Sequence, residues 1–268
     1  MQLAIEYDNR ARVPEHPEII ARWKRDAEAF RASAKTDLDL AYGARPRNRF
    51  DLFHGSSAGP VVVFIHGGYW RTFDKSVFSH MAAGVYGHGF SVAMPSYSLC
   101  PDVTIPGIVD ELRQFCLHLW KDHGRRLVIA GHSAGGHLAA CMAATNWKNY
   151  GAPADLIQAG LSISGVFDLR PLMATPMNED LRLTQADAIA ASPLFWPVPR
   201  ILPFDIWVGA AESSEFLRQS ASLAAAWSGL GLSCALVELS KANHFTAADP
   251  LADPRSTMVA RLAQLASG

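Results

Sequence analysis

Gly131-His132-Ser133-Ala134-Gly135, read with Leu127-Val128-Ile129-Ala130 ahead of it and His137-Leu138-Ala139-Ala140-Cys141-Met142-Ala143-Ala144 behind it, decides the fold. The apolar run ahead reads as a buried strand, and the alanine-rich stretch behind has strong helix propensity. A Gly-x-Ser-x-Gly match means little alone, but at a strand-to-helix turn it is a nucleophile elbow, whose strained bend pushes the serine hydroxyl into the open. A side chain at 131 or 135 would crowd that bend, and Gly136 relieves it further. At the start of the following helix, unpaired amides and the positive end of the helix dipole face the reaction. Ser133 is therefore the expected nucleophile and the Ala134 N–H an expected oxyanion donor.

Outward from the elbow the chain repeats strand, loop and helix. Val61–Ile65 and the stretches 90–94, 127–130, 156–162, 204–208 and 235–239 are compact apolar runs with helical segments between most of them. That rhythm predicts an α/β fold with a mostly parallel central sheet flanked by helices. The stretch 171–203 breaks it with six prolines and the pair Phe195-Trp196, and reads as a short cap insertion. Residues 1–40 read as a helical lead-in, in which Ile19, Ile20, Trp23, Ala27 and Phe30 stripe one face of a helix starting near Pro14 and Pro17. The runs 38–42 and 50–53, split by Gly43, Pro46 and Asn48, suggest an antiparallel hairpin at a sheet edge, where no function is expected.

Composition narrows the partners. The 268 residues are 49% hydrophobic and 18% charged, far from disorder. Lys plus Arg number 24 against 25 Asp plus Glu, a net charge of −1, which leaves no excess of positive charge to follow a phosphate backbone; nucleic acid is not an expected partner. Cys100, Cys116, Cys141 and Cys234 lie far apart and read as reduced, buried thiols. No apolar run approaches the roughly 18 residues of a membrane helix and no apolar leader opens the chain, so no membrane association and a cytoplasmic location are expected. His132 and His137 stand five apart rather than in a His-Glu-x-x-His arrangement, and no Gly-x-Gly-x-x-Gly fingerprint occurs; neither metal nor cofactor is expected.

Two further stretches carry chemistry. His66-Gly67-Gly68-Tyr69-Trp70 directly follows a strand, where this architecture supplies its second oxyanion donor from a backbone amide. Gly68 is the preferred donor and Gly67 the neighbour that shapes the loop, while His66 reads as fixing that loop. Tyr69 and Trp70 serve equally well as substrate walls or as packing. A serine hydroxyl needs an imidazole to take its proton and a carboxylate to orient that imidazole, in the chain order Ser, acid, His. His244, just past the last strand, is the only histidine after His137. Glu212, at the carboxyl end of the 204–208 strand, is the assigned acid. Asp168, which could equally be a helix N-cap, and Glu215, a first-turn charge, are its rivals.

These residues resemble the kynurenine formamidases, or arylformamidases, of the α/β-hydrolase fold. The likeness is carried by His66-Gly67-Gly68-Tyr69-Trp70, by the elbow with His137-Leu138-Ala139-Ala140, and by Gly165-Val166-Phe167-Asp168-Leu169. Ser192-Pro193, Glu215-Phe216, Arg218-Gln219-Ser220 and His244-Phe245 extend it from about residue 61 to the end. The chain departs from the family where members such as the mammalian enzyme carry an aspartate, here Glu212, and where the elbow runs Gly135-Gly136-His137 rather than Gly-Ala-His.

The resemblance implies one α/β-hydrolase domain over 1–268, acting on a small aromatic formamide of the N-formylkynurenine kind, in tryptophan catabolism, through a Ser-His-acid triad and an acyl-enzyme. A formyl group is tiny, so specificity falls to the leaving-group pocket, for which Tyr69, Trp70, Phe167, Trp196 and Phe245 are candidate walls. Arg71 and Arg218 lie near the motifs, though most arginines are solvated surface charges. The competing readings are a broad carboxylesterase on short acyl esters and a non-catalytic binding protein of the same fold; a homodimer is a candidate assembly.

Overall fold

In a computed structural model that describes residues 2–268, the apolar runs become β3 (Val61–Ile65), β4 (Val92–Pro95), β5 (Leu127–His132), β6 (Ile157–Ile163), β7 (Phe204–Gly209) and β8 (Leu236–Leu239). They follow the expected hairpin, β1 (Thr36–Ala41) and β2 (Arg49–Phe53). The strands form one sheet in the order β1-β2-β4-β3-β5-β6-β7-β8. β1, β2 and β4 pair antiparallel, and every pairing from β4 onward is parallel.

Side-chain alternation divides the interior in two. Val61, Val63 and Ile65 point into a core with the helices Ile105–His123, Ala134–Ala143 and Ser214–Gly229, whereas Val62 and Phe64 point to the opposite face. There the helices His16–Ser33 and Thr257–Ser267 pack through Ile19, Trp23, Met258 and Leu262. Because both faces are covered, β3 through β7 are almost wholly buried, which is why they read as unbroken apolar runs rather than as alternating ones. At the free edge β8 reverts to alternation, with Leu236 40% exposed.

The helical lead-in read over 1–40 ends at Ser33, because β1 begins at Thr36, and several strand bounds shift by one or two residues. β4 starts at Val92 rather than 90, because the Phe90 amide is spent on the Val85 carbonyl at the end of the preceding helix. β5 runs two residues past 130, carrying His132 on its last position. Cys100, Cys116 and Cys141 are buried free thiols as expected, but Cys234 is only half-buried, ahead of the edge strand. Between 170 and 195 the prolines leave only short helical pieces, Arg170–Ala174, Asn178–Leu181, Gln185–Ala190 and Pro193–Phe195. No helix among the described residues is long and apolar enough to cross a membrane.

Candidate active site

Five neighbouring strands end at one edge, and each delivers one part of the site there. β3 leads into His66-Gly67-Gly68, β5 into Ser133, β6 into Ser164, β7 into Glu212 and β8 into His244. Ser133 has φ +57° and ψ −120°, a strained conformation for a residue with a Cβ, held by its amide donating to the Ile163 carbonyl at 2.8 Å. A Cβ on Gly135 would strike the Ile65 carbonyl, so the bend folds only with glycine there.

The three polar side chains form a continuous relay. His244 Nε2 lies 3.0 Å from Ser133 Oγ, and its Nδ1 lies 2.7 Å from Glu212 Oε2. Glu212 also accepts from the Gly209 amide at 2.8 Å and from the Ser164 hydroxyl, both on Oε1. Ser133, Glu212 and His244 are each at least nine-tenths buried. The loop under His244 is organised by Asn243, whose Oδ1 accepts from the Phe245 and Thr246 amides at 3.0 Å. Such a relay can move a proton from the serine hydroxyl to the imidazole while the carboxylate stabilises the imidazolium.

Both rival acids are engaged elsewhere. Burial opposes ionisation of Asp168, but Arg170 grips its carboxylate at 2.8 and 2.9 Å and holds it below the usual range; it is not the helix cap weighed for it, since the helical turn Arg170–Ala174 starts from Leu169 with no side-chain cap. Glu215 is lowered by Arg218 and accepts the Tyr7 hydroxyl at 2.8 Å.

Gly67 and Gly68 line the cavity beside Ser133, with Gly67 so close that an added Cβ would lie 3.0 Å from Ser133 Cβ. The loop continues through Tyr69 and Trp70 at φ +49° and +54°. It is pinned by the Arg71 and Thr72 amides on the Gly68 carbonyl and the Cys100 amide on that of Trp70. The amides of Gly67, Gly68 and Ala134 donate to no acceptor among the described residues and so are free for an oxyanion. His66 fixes the loop, as expected: Nδ1 donates to the Gly67 carbonyl at 2.7 Å and its ring stacks on Tyr97.

A cavity of about 440 Å³ opens over Ser133 and His244. Tyr69 and Phe245 line it; Trp70, Phe167 and Trp196 do not, which corrects the expectation for these three. Trp70 turns away from its neighbour into the core, edge-on to the His137 ring at 5.0 Å. Phe167 is fully buried in the core, and Trp196 is tied to the Ala190 carbonyl with Arg113 over its ring. The aromatic wall comes instead from Trp23, Phe73 and Phe78. Trp23 belongs to the helix stripe legible in the sequence, yet nothing in the stripe says what it faces. The rim carries Asp8, Arg10, Arg71, Glu179 and Asp180, with Arg71 paired to Asp180 at 2.6 Å. Arg218, by contrast, lies off the cavity.

An unforeseen wall is the segment around Tyr7. Ala4, Tyr7, Asp8, Asn9 and Arg10 face the cavity. Tyr69 Oη donates to the Tyr7 carbonyl at 2.7 Å and accepts from Asn9 Nδ2 at 3.0 Å. Only the tyrosine of the oxyanion stretch offered a signal for this contact.

A strained serine at the carboxyl edge of a mostly parallel sheet, facing a histidine and a carboxylate from later strands, defines a hydrolase of the α/β-hydrolase fold. Residues 53–193 match the family described as BD-FAE. The chain is 30% identical to the kynurenine formamidase of Danio rerio over 244 residues, 87% of this chain and 83% of that protein. It is 30% identical to that of Salmo salar over 242 residues, covering 86% and 82%. A solved structure described as a putative thioesterase from Silicibacter sp. TM1040 superposes with a TM-score of 0.89 at 38% identity, covering all of both chains. The chain belongs to the kynurenine formamidase-like family of α/β-hydrolases.

Proposed function

We propose that this hydrolase cleaves aryl formamides of the N-formylkynurenine type through an acyl-enzyme. The observation that carries the reading is the unbroken line from Glu212 through His244 to Ser133 at the floor of an aromatic-walled cavity. Ser133 Oγ attacks the formyl carbon as His244 Nε2 takes its proton, and the oxyanion that forms is held by the Gly68 and Ala134 amides, with Gly67 shaping the loop. Loss of one such donor typically costs about 2.7–4 kcal/mol of transition-state stabilisation. The imidazolium then protonates the departing aryl nitrogen, the C–N bond breaks, and the formyl group stays on Ser133. Water, deprotonated by the same imidazole, releases formate and restores the serine.

Specificity rests on the leaving-group side. Trp23, Tyr69, Phe73 and Phe245 offer apolar faces to an aryl ring, and the mixed charges of Arg10, Arg71, Asp8 and Glu179 at the rim suit a zwitterionic amino-acid group. Thr175, Pro176, Met177, Glu179 and Asp180 border the same cavity, which supports reading the proline-rich stretch 171–203 as a cap within one domain.

A second reading, an esterase or thioesterase acting on short acyl groups with the same machinery, is favoured by the name of the Silicibacter relative. Comparing kcat/KM for N-formylkynurenine and p-nitrophenyl acetate separates the two. Preference for the formamide is expected; turnover of the ester with an untouched formamide would overturn the formamidase reading.

A further inference from the structure

We infer that Ser164 is a positioning residue that allows a glutamate to serve as the acid of this site; the inference rests on the proposed roles of Ser133, His244 and Glu212. Ser164 is the first residue beyond β6 and is completely buried. Its φ is +53°, a left-handed conformation that any Cβ disfavours and in which glycine would be at ease. The backbone is locked there by the Ser164 amide donating to the Trp207 carbonyl at 2.7 Å. What serine adds over glycine is a hydroxyl, whose single proton goes to Glu212 Oε1.

That bond answers a problem created by the acid itself. A glutamate side chain has one more rotatable bond than an aspartate, so its carboxylate must be restrained at an additional point before one oxygen can face an imidazole. Here Oε1 is clamped by two donors from two different strand ends, Ser164 Oγ from β6 and the Gly209 amide from β7. With Oε1 fixed, Oε2 has one remaining direction, toward His244 Nδ1 at 2.7 Å. Removal of Ser164 Oγ leaves a single anchor, about which the carboxylate can swing away from the ring. The extra methylene is thus accommodated by a tether from the neighbouring strand.

Ser164→Gly tests this cleanly, because it relieves the backbone while deleting the hydroxyl; Ser164→Ala deletes the hydroxyl and keeps the Cβ. With p-nitrophenyl acetate as probe, both variants should lose about tenfold to a hundredfold in kcat, the range for a hydrogen bond to a charged group, with KM unmoved. The melting temperature of Ser164→Gly should fall less than that of Ser164→Ala, because only glycine relieves the left-handed backbone, and the downfield Nδ1 proton resonance of His244 should shift in both. Wild-type kcat in both variants overturns the inference. So does a Ser164→Gly protein whose activity falls only in step with its melting temperature while that resonance stays put. Ser133→Ala assayed alongside separates the two levels: if it remains active the catalytic reading itself fails, whereas an inactive Ser133→Ala beside a fully active Ser164→Gly removes only Ser164.

Discussion

His132 donates from Nε2 to the main-chain carbonyl of His244 at 2.8 Å, so the residue before Ser133 carries the loop that bears His244. The two rings lie 4.9 Å apart, and the other nitrogen of His132 faces the Gly67 α-carbon. One buried imidazole thereby spaces the Gly67–Gly68 loop, Ser133 and His244. Burial, with His244 alongside, pushes the His132 pKa down to about 3, which keeps the ring neutral.

Replacing His132 by Leu removes the donor and leaves the His244 carbonyl unsatisfied. The expected loss is about 1–3 kcal/mol, seen as a fall in kcat of tenfold or more and a lower melting temperature. His132→Gln, which sets an N–H at a similar reach, should recover much of both. Equal activity of the Leu variant and wild type in steady-state assays would contradict this role.

Tyr69→Phe should act on substrate binding more than on chemistry. The lost hydroxyl is what ties the Tyr7–Asn9 segment to the oxyanion loop. A looser wall predicts KM several-fold higher, a smaller change in kcat, and destabilisation of about 1 kcal/mol. A kcat effect exceeding the KM effect would count against it.

Acidification should destabilise the fold well before its carboxylates are titrated out. Burial pushes His66, His80 and His137 down to about 4 and His132 to about 3, against an ordinary value of 6.5. Between about pH 6.5 and 4 the unfolded chain binds protons that the folded chain refuses. The contribution of these rings is therefore complete above pH 6.5 and is lost as pH falls toward 4, by at most about 1.4 kcal/mol per pH unit for each ring. Thermal melts at pH 7.5 and pH 5 should differ by many degrees; coincident melts would contradict the neutral burial of these histidines.

The sequence and the structure agree best where chemistry is local. Ser133 announced itself because strand, bend and helix are contiguous, and His244 and Glu212 because each follows the end of a strand. The cavity wall was less legible. Tyr69 and Trp70 are adjacent in sequence, yet one faces the cavity and the other packs on His137, a divergence produced by consecutive left-handed backbone conformations. The Tyr7 segment reaches the site through bonds to Tyr69, Glu215 and Gln219, contacts between residues far apart in the chain that no periodicity encodes. Ser164 was hidden for the same reason, its partner lying on the next strand end.

The most direct test of the whole account is covalent. An organophosphate such as diethyl p-nitrophenyl phosphate phosphorylates a serine that an imidazole activates. Peptide mass spectrometry after inactivation should find one phosphoryl group per chain, on Ser133, with Ser133→Ala unlabelled and His244→Ala labelled more slowly. Modification at another residue with complete loss of activity, or full hydrolysis by Ser133→Ala, would contradict it.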